Sequence, residues 1–251
     1  MEEWYYNVLL VVVGFAVGFI NTIAGGGSLL SLPVLIFLGL PPSVANGTNR
    51  VAVAIQSLLG VAGFKSKGIS TYPFNIYLGI SALFGAIIGA NIAVDIKGET
   101  FNRILAVVMI IVVLIIIFKP KINTQELQER LTGKYLWIGI IVFFFFGIYG
   151  GFINAGIGFV MLLFLHYVNH LSLVRSNATK VAVVFIYTLS SLAVFMYNDK
   201  IIWKVGLILA IGNGTGAWTA SRVSVNKGDG FIKIFLIVMV VAMAIKLWFF
   251  T

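Results

Sequence analysis

The chain has no cysteine, two histidines and eight acidic residues among 251. Without cysteine there are no disulfides, thiolate metal sites or cysteine nucleophiles. The acidic residues (Glu2, Glu3, Asp95, Glu99, Glu126, Glu129, Asp199 and Asp229) all fall at termini, segment ends or loops. Paired buried carboxylates and metal-ligand clusters are therefore missing, so an enzyme is not expected and no cofactor or metal is called for. Charge of any sign is scarce as well. Charged residues make up 10% of the chain, against about 25% in a soluble domain.

What remains is apolar. Hydrophobic residues make up 60% of the sequence, and the mean hydropathy is +1.06. This is the composition of an integral membrane protein in a cell membrane. The opening Met-Glu-Glu-Trp-Tyr-Tyr has no basic region, so a cleaved signal peptide is not expected. The net charge of +9 reads as loop charge that orients helices across a bilayer, not as a nucleic-acid surface. Trp4, Tyr5, Tyr6, Tyr72, Tyr77, Tyr135, Trp137, Trp203 and Trp248 cluster near segment ends, as an interfacial aromatic belt does.

The chain is also written twice. Gly18-Phe19-Ile20-Asn21 recurs as Gly151-Phe152-Ile153-Asn154, an offset of 133. Arg50-Val51-Ala52-Val53 recurs as Lys180-Val181-Ala182-Val183, an offset of 130, and Lys97-Gly98-Glu99 recurs as Lys227-Gly228-Asp229 at the same offset. Duplication in a very apolar chain is the mark of a transporter built from two repeats. The first repeat covers 1–118, a polar linker 119–134, and the second repeat 135–251.

Each repeat holds five apolar segments. They run about Trp4–Ala24, Ser28–Gly39, Ser43–Phe64, Tyr72–Val94 and Phe101–Phe118, then Tyr135–Asn154, Gly158–Val168, Leu173–Tyr197, Ile201–Arg222 and Gly230–Phe250. If all ten cross with the N-terminus outside, Lys65, Lys67, Lys119, Lys121, Arg130, Lys134, Arg175, Arg222, Lys227 and Lys233 share one side. Lys97, Arg103, Lys200 and Lys204 share the other, a ten-to-four split. Re-entrant short segments give eight to six at best. The positive-inside rule favours the first count, and five crossings per repeat make the repeats inverted. The expected fold is thus all-α, multi-pass, with two inverted repeats of about five segments and short or broken helices near the midplane. Gly85 and Gly89 in one fourth segment, and Gly212 and Gly216 in the other, are spaced for close helix packing, in the bundle or at a homodimer contact.

The second segment of each repeat is short and follows a glycine break: Ala24-Gly25-Gly26-Gly27-Ser28 and Ala155-Gly156-Ile157-Gly158. Matching short segments of this kind mark a binding site between discontinuous helices. Two cations, Arg50 and Lys180, lie inside apolar segments. An unpaired cation there costs about 3 kcal/mol or more. A visiting anion would offset it; so would snorkelling to headgroups or bonds to carbonyls of the broken helices. The surrounding residues are polar: Ala45-Asn46-Gly47-Thr48-Asn49-Arg50, followed by Gln56 and Ser57, and Arg175-Ser176-Asn177-Ala178-Thr179-Lys180. Helix N-termini and neutral amides at such places favour an oxyanion. The candidate substrate-binding set is Asn21, Gly25, Gly26, Gly27, Ser28, Asn46, Gly47, Thr48, Asn49, Arg50 and Gln56, with Asn154, Gly156, Asn177, Thr179 and Lys180 in the second repeat. Helix capping alone would also account for some of the Asn, Ser and Thr residues. His166, inside the short second segment of the second repeat, reads as a hydrogen-bonded structural or interfacial histidine before a proton carrier.

The string Asn21-Thr22-Ile23-Ala24-Gly25-Gly26-Gly27-Ser28, then Pro33, then Ala45-Asn46-Gly47-Thr48-Asn49-Arg50, resembles the signature of the sulfite exporter TauE/SafE family, with the hydrophobic layout similar over essentially the whole chain. The second copy departs from it: Phe159-Val160 replaces Gly26-Gly27, and Ala178-Thr179 replaces Thr48-Asn49. The resemblance implies transport of small sulfur-containing anions such as sulfite, thiosulfate, sulfoacetate or other organosulfonates. A passive anion channel is the competing expectation, and a substrate-free assembly subunit a further one.

Overall fold

A computed structural model describes residues 3–117 and 128–250, and the side chains of all of these but 3, 108–117, 237 and 239–250. The described residues form α-helices joined by short turns, with no strand among them. In chain order these are α1 (Glu3–Ala24), α2 (Ser28–Phe37), α3 (Pro42–Lys65), α4 (Phe74–Asp95), α5 (Gly98–Ile117), α6 (Gly133–Phe152), α7 (Ile157–Tyr167), α8 (Leu173–Tyr197) and α9 (Trp203–Phe250). Gly228 breaks α9 with a left-handed φ of 71°. The ten expected segments are therefore all helical, although the part of the linker at 118–127 lies outside the described residues.

Polar side chains are buried among the apolar core, and large apolar side chains are exposed. Arg50, Lys180, Asn46, Asn49, Asn177, Gln56 and Asn213 are buried, whereas Phe37, Phe84, Ile92, Trp137, Phe145 and Ile211 face outward. Water would not support such an exterior, but lipid does. Helices α1, α4, α6 and α8 are each long and apolar enough to cross a membrane.

The helices pack through glycine. Gly14 and Gly18 of α1 lie against the backbone of Leu209 and Asn213, while Gly212 and Gly216 of α9 lie against Val11 and Phe15. Gly85 and Gly89 of α4 meet Phe144 and Ile148, and Gly147 and Gly151 of α6 meet Ala82 and Ala86. The glycine pairs thus serve packing inside the bundle. Contact positions rise together along both chains, so α1 runs parallel to α9 and α4 parallel to α6. The fourth helix of each half packs on the first helix of the other.

Each short helix returns to the end of the bundle where its preceding helix began. Tyr6, Asn7 and Leu10 share the wall of one cavity with Leu38 and Leu40. In the second half the Arg130 N–H donates to the Asn169 carbonyl, and the Asn169 side chain donates to the Arg130 carbonyl, both at 2.9 Å. Ten residues of α2 rise about 15 Å, half of the roughly 30 Å hydrocarbon layer. A helix of that length does not span such a layer by itself.

The turns at the hairpin tips need left-handed backbone. Gly25 (φ 82°) ends α1, and Asn154 (φ 60°) follows α6. Glycine, then asparagine, are the residues that take this conformation at least cost. At the far end of α8 the N-terminus is capped from α9: the Asp229 carboxylate accepts from Leu173 N–H at 2.8 Å and Val174 N–H at 2.9 Å. Asp229→Ala is expected to lower stability by about 1–2 kcal/mol, read as a lower thermal midpoint of the purified protein, with Asp229→Asn in between. An unchanged midpoint in Asp229→Ala would show that water caps α8 equally well.

Candidate functional site

The two hairpin tips cross in the interior. A Cβ built on Gly158 would come 2.7 Å from the Gly25 Cα, and one built on Gly25 would overlap the Gly158 backbone. Only two glycines allow that approach. Beside the crossing is a buried cavity lined by Asn21, Gln56, Ser57, Asn154, Ile157, Gly158, Lys180, Val181 and Val184. At about 10 Å3 it has room for roughly one water.

The polar groups on its wall are biased toward donation. Asn21 Oδ1 accepts from Gly27 N–H at 3.2 Å, Gln56 Oε1 accepts from the Asn213 side chain at 3.3 Å, and Asn154 Oδ1 accepts from the Tyr187 hydroxyl. With their oxygens engaged, Asn21 and Gln56 have N–H groups to offer a ligand. Ser57 is fully buried and its hydroxyl has no partner among the described residues. A buried unpaired hydroxyl needs an explanation, and a ligand or water in the cavity supplies one. Asn154 donates to Ser28 Oγ at 3.1 Å, with Asn49 donating to the same oxygen at 3.4 Å, so Ser28 and Asn49 stand behind the wall.

The two cations do something the sequence left open. Arg50 is fully buried, and its guanidinium donates to the carbonyls of Gly150 (2.6 Å) and Gly151 (2.8 Å) and to Asn46 Oδ1 (3.2 Å). Lys180, 2% exposed, donates to the carbonyls of Asn21 (3.1 Å) and Thr22 (3.0 Å) and to Asn177 Oδ1 (2.6 Å). Asn46 in turn donates to the Phe152 carbonyl at 2.7 Å, and Asn177 to the Ile23 carbonyl at 3.0 Å. Each cation–amide pair therefore caps the last turn of the other half's first helix. These carbonyls sit in the last turn, where helical N–H partners run out, although Asn21 also accepts from Gly25 N–H at 2.8 Å, and they carry the negative end of the helix dipole.

The bonds are reciprocal to the residue. Gly150, Gly151 and Phe152 stand 129 residues after Asn21, Thr22 and Ile23. Gly25 and Asn154, the left-handed turn residues, have the same offset. The repeated Gly-Phe-Ile-Asn strings, 133 apart, are thus about one helical turn out of structural register.

The remaining candidates scatter. Gly47 lets Lys200 approach, and Thr48 Oγ1 accepts from Ile202 N–H at 3.0 Å. Thr179 bonds to Thr71 at 2.8 Å. These three seat neighbouring helices. Gly156 (φ 75°) starts α7, and Gly27 starts α2. Gly26 has open space around it, with only Leu29 within 4 Å. Asn21, Gln56, Asn154 and Lys180 are the predicted residues that meet at the cavity, whereas Arg50 is absent from its lining. His166 bonds through Nδ1 to the Leu171 carbonyl at 2.8 Å, closing the end of α7. Asn213 and Tyr187 escaped the sequence reading. A lone amide between Gly212 and Gly214 in an apolar segment was the available signal for the first.

An apolar exterior, a set of polar groups buried in the core and two broken helices crossing beside a cavity mark a membrane-embedded protein of the transporter class. The family model described as sulfite exporter TauE/SafE matches residues 10–247, and the chain belongs to that family. It is 29% identical over 239 residues to a "Probable membrane transporter protein" of Haemophilus influenzae, covering 95% of this chain and 93% of the relative. It is 26% identical to "Probable membrane transporter protein ORF9" of Sinorhizobium, covering 98% of this chain and 95% of the relative. It is also 26% identical to "Probable membrane transporter protein YfcA" of Escherichia coli, covering 95% and 88%. No solved structure matches the chain.

Proposed function

We propose that this chain is a multi-pass secondary transporter of the cell membrane that moves a small sulfur-containing anion, such as sulfite, thiosulfate or an organosulfonate, by alternating access. The observation that carries the reading is the donor-biased cavity at the hairpin crossing. Asn21, Gln56 and Ser57 present N–H and O–H groups, Lys180 supplies positive charge, and the first residues of α7 line the same wall. Helix N-termini favour anions. The family description supplies the sulfur class. The reciprocal caps support two inverted repeats: each half holds the other's broken helix, so the halves can rock about the crossing.

The anion would sit against Lys180 with its oxygens toward Asn21, Gln56 and Ser57, and any organic portion against Ile157, Val181 and Val184. The test is thermal stabilisation of the purified protein by sulfite, thiosulfate, sulfoacetate, sulfate and chloride. A ligand at about 100 times its Kd stabilises by about 2.7 kcal/mol. One sulfur anion is expected to do so selectively, and Gln56→Leu to weaken it about tenfold, equivalent to about 1.4 kcal/mol. Equal response to all five anions would sink the site.

A further inference from the structure

The two capping arrangements have a second chemical identity. Around Lys180 Nζ stand two consecutive last-turn carbonyls, Asn21 and Thr22, and one amide oxygen, Asn177 Oδ1. Around the Arg50 guanidinium stand Gly150, Gly151 and Asn46 in the same roles. The amide oxygen faces the cation because its own N–H2 is spent on the next carbonyl. Three oxygens converging at the C-terminal end of a broken helix make the kind of nest that holds Na+ in cation-coupled transporters. Here each nest already contains a positive charge on a side chain. An ammonium has three N–H donors, and the three oxygens take all of them at Lys180.

The charge inventory points the same way. Among the described residues no Asp or Glu is buried. A bound metal cation would add positive charge to an interior that already holds two cations and no described carboxylate to balance it. Among the described residues no group of three His, Cys, Asp or Glu could hold a metal ion.

We propose that Arg50 and Lys180 are tethered cations that fill the places a coupling Na+ would take, so that the anion is carried without Na+. The proposal rests on the transport reading, but it makes a claim about the nests that can fail separately. An empty nest should accept a small free cation in place of the missing side chain.

The experiment has two arms. In the first, purified wild-type protein and Lys180→Ala are melted in Na+, methylammonium or choline chloride at equal ionic strength. Wild type is expected to melt at one temperature in all three. Lys180→Ala is expected to melt lower in choline and to regain part of the loss with Na+ or methylammonium, which fit the nest where choline does not. In the second arm, wild type in liposomes takes up radiolabelled sulfite. An inside-positive potential set with K+ and valinomycin is expected to raise accumulation roughly tenfold or more, and an inward Na+ gradient at zero potential to leave it unchanged.

Selective stabilisation of the wild type by Na+, or Na+-driven sulfite uptake, overturns the proposal. So does a Lys180→Ala protein that no small cation restores. If Lys180→Ala cannot be purified, the wild-type measurements still decide. If sulfite crosses under no condition, the substrate reading fails while the melting arm judges the nests.

Discussion

Replacing Arg50 with glutamine is expected to lower the stability of the folded protein by about 3–5 kcal/mol, the range for removing one partner of a buried charged arrangement. The guanidinium holds the Gly150 and Gly151 carbonyls and Asn46 Oδ1 at a fully buried position. Each orphaned acceptor costs about 1–3 kcal/mol. A glutamine side chain is shorter and carries one amide group where Arg50 spends two terminal nitrogens. Arg50→Lys keeps the charge but gives up the fork, so an intermediate loss is expected. The stacking of the guanidinium 5.6 Å from the Phe195 ring centroid would go as well. The readout is the thermal midpoint in detergent with no anion added. A sharp drop there assigns Arg50 to holding α6 in place. A mutant that melts like the wild type yet no longer binds sulfite would return Arg50 to the substrate, and the capping bonds would be incidental.

Much of this arrangement was legible in the sequence, and the illegible part has a definite cause. Glycine breaks, short helices and the two cations announce themselves because they violate the apolar pattern around them. What the cations touch leaves no such mark. The partners of Arg50 are carbonyls 100 and 101 residues away, and those of Lys180 are 158 and 159 away. Every residue has a carbonyl, so no residue type betrays the partner. The sequence therefore offered anion, headgroup and helix end as alternatives; the structure puts carbonyls of helix ends around both.

Register was lost for a related reason. The strings Gly18-Phe19-Ile20-Asn21 and Gly151-Phe152-Ile153-Asn154 look alike, but α1 continues to Ala24 after its Asn21 whereas α6 ends at Phe152, before its Asn154. Asn21 keeps a helical place and caps α2, while Asn154 makes the left-handed turn. Both reach the cavity, from opposite tips and in different roles. The asymmetry has a chemical consequence. Lys180 is on the cavity wall and Arg50 is not, so a site that is nearly two-fold in backbone bonds presents a single cation.

The crossing itself predicts the other large effect. Gly25→Val is expected to destabilise the fold by roughly 2–5 kcal/mol, from about 1–2 for a left-handed backbone with a side chain and about 1–3 for overpacking. Gly158→Ala separates these causes. Gly158 is helical, so alanine brings no backbone strain there. Its methyl would still lie 2.7 Å from the Gly25 Cα, which forces the tips apart. Gly158→Ala is therefore expected to cost about 1–3 kcal/mol and, in addition, to weaken anion binding, because Asn21 and Asn154 ride on the two tips. Gly26→Ala is the control, since a methyl there meets only Leu29 Cδ1 at 3.7 Å. It should change the thermal midpoint and sulfite binding little. Equal losses from Gly26→Ala and Gly158→Ala would mean that glycine is needed along the whole break for flexibility. A loss confined to Gly25 and Gly158 would mean that contact between two backbones sets the spacing of the donors, and with it the size of the anion the site accepts.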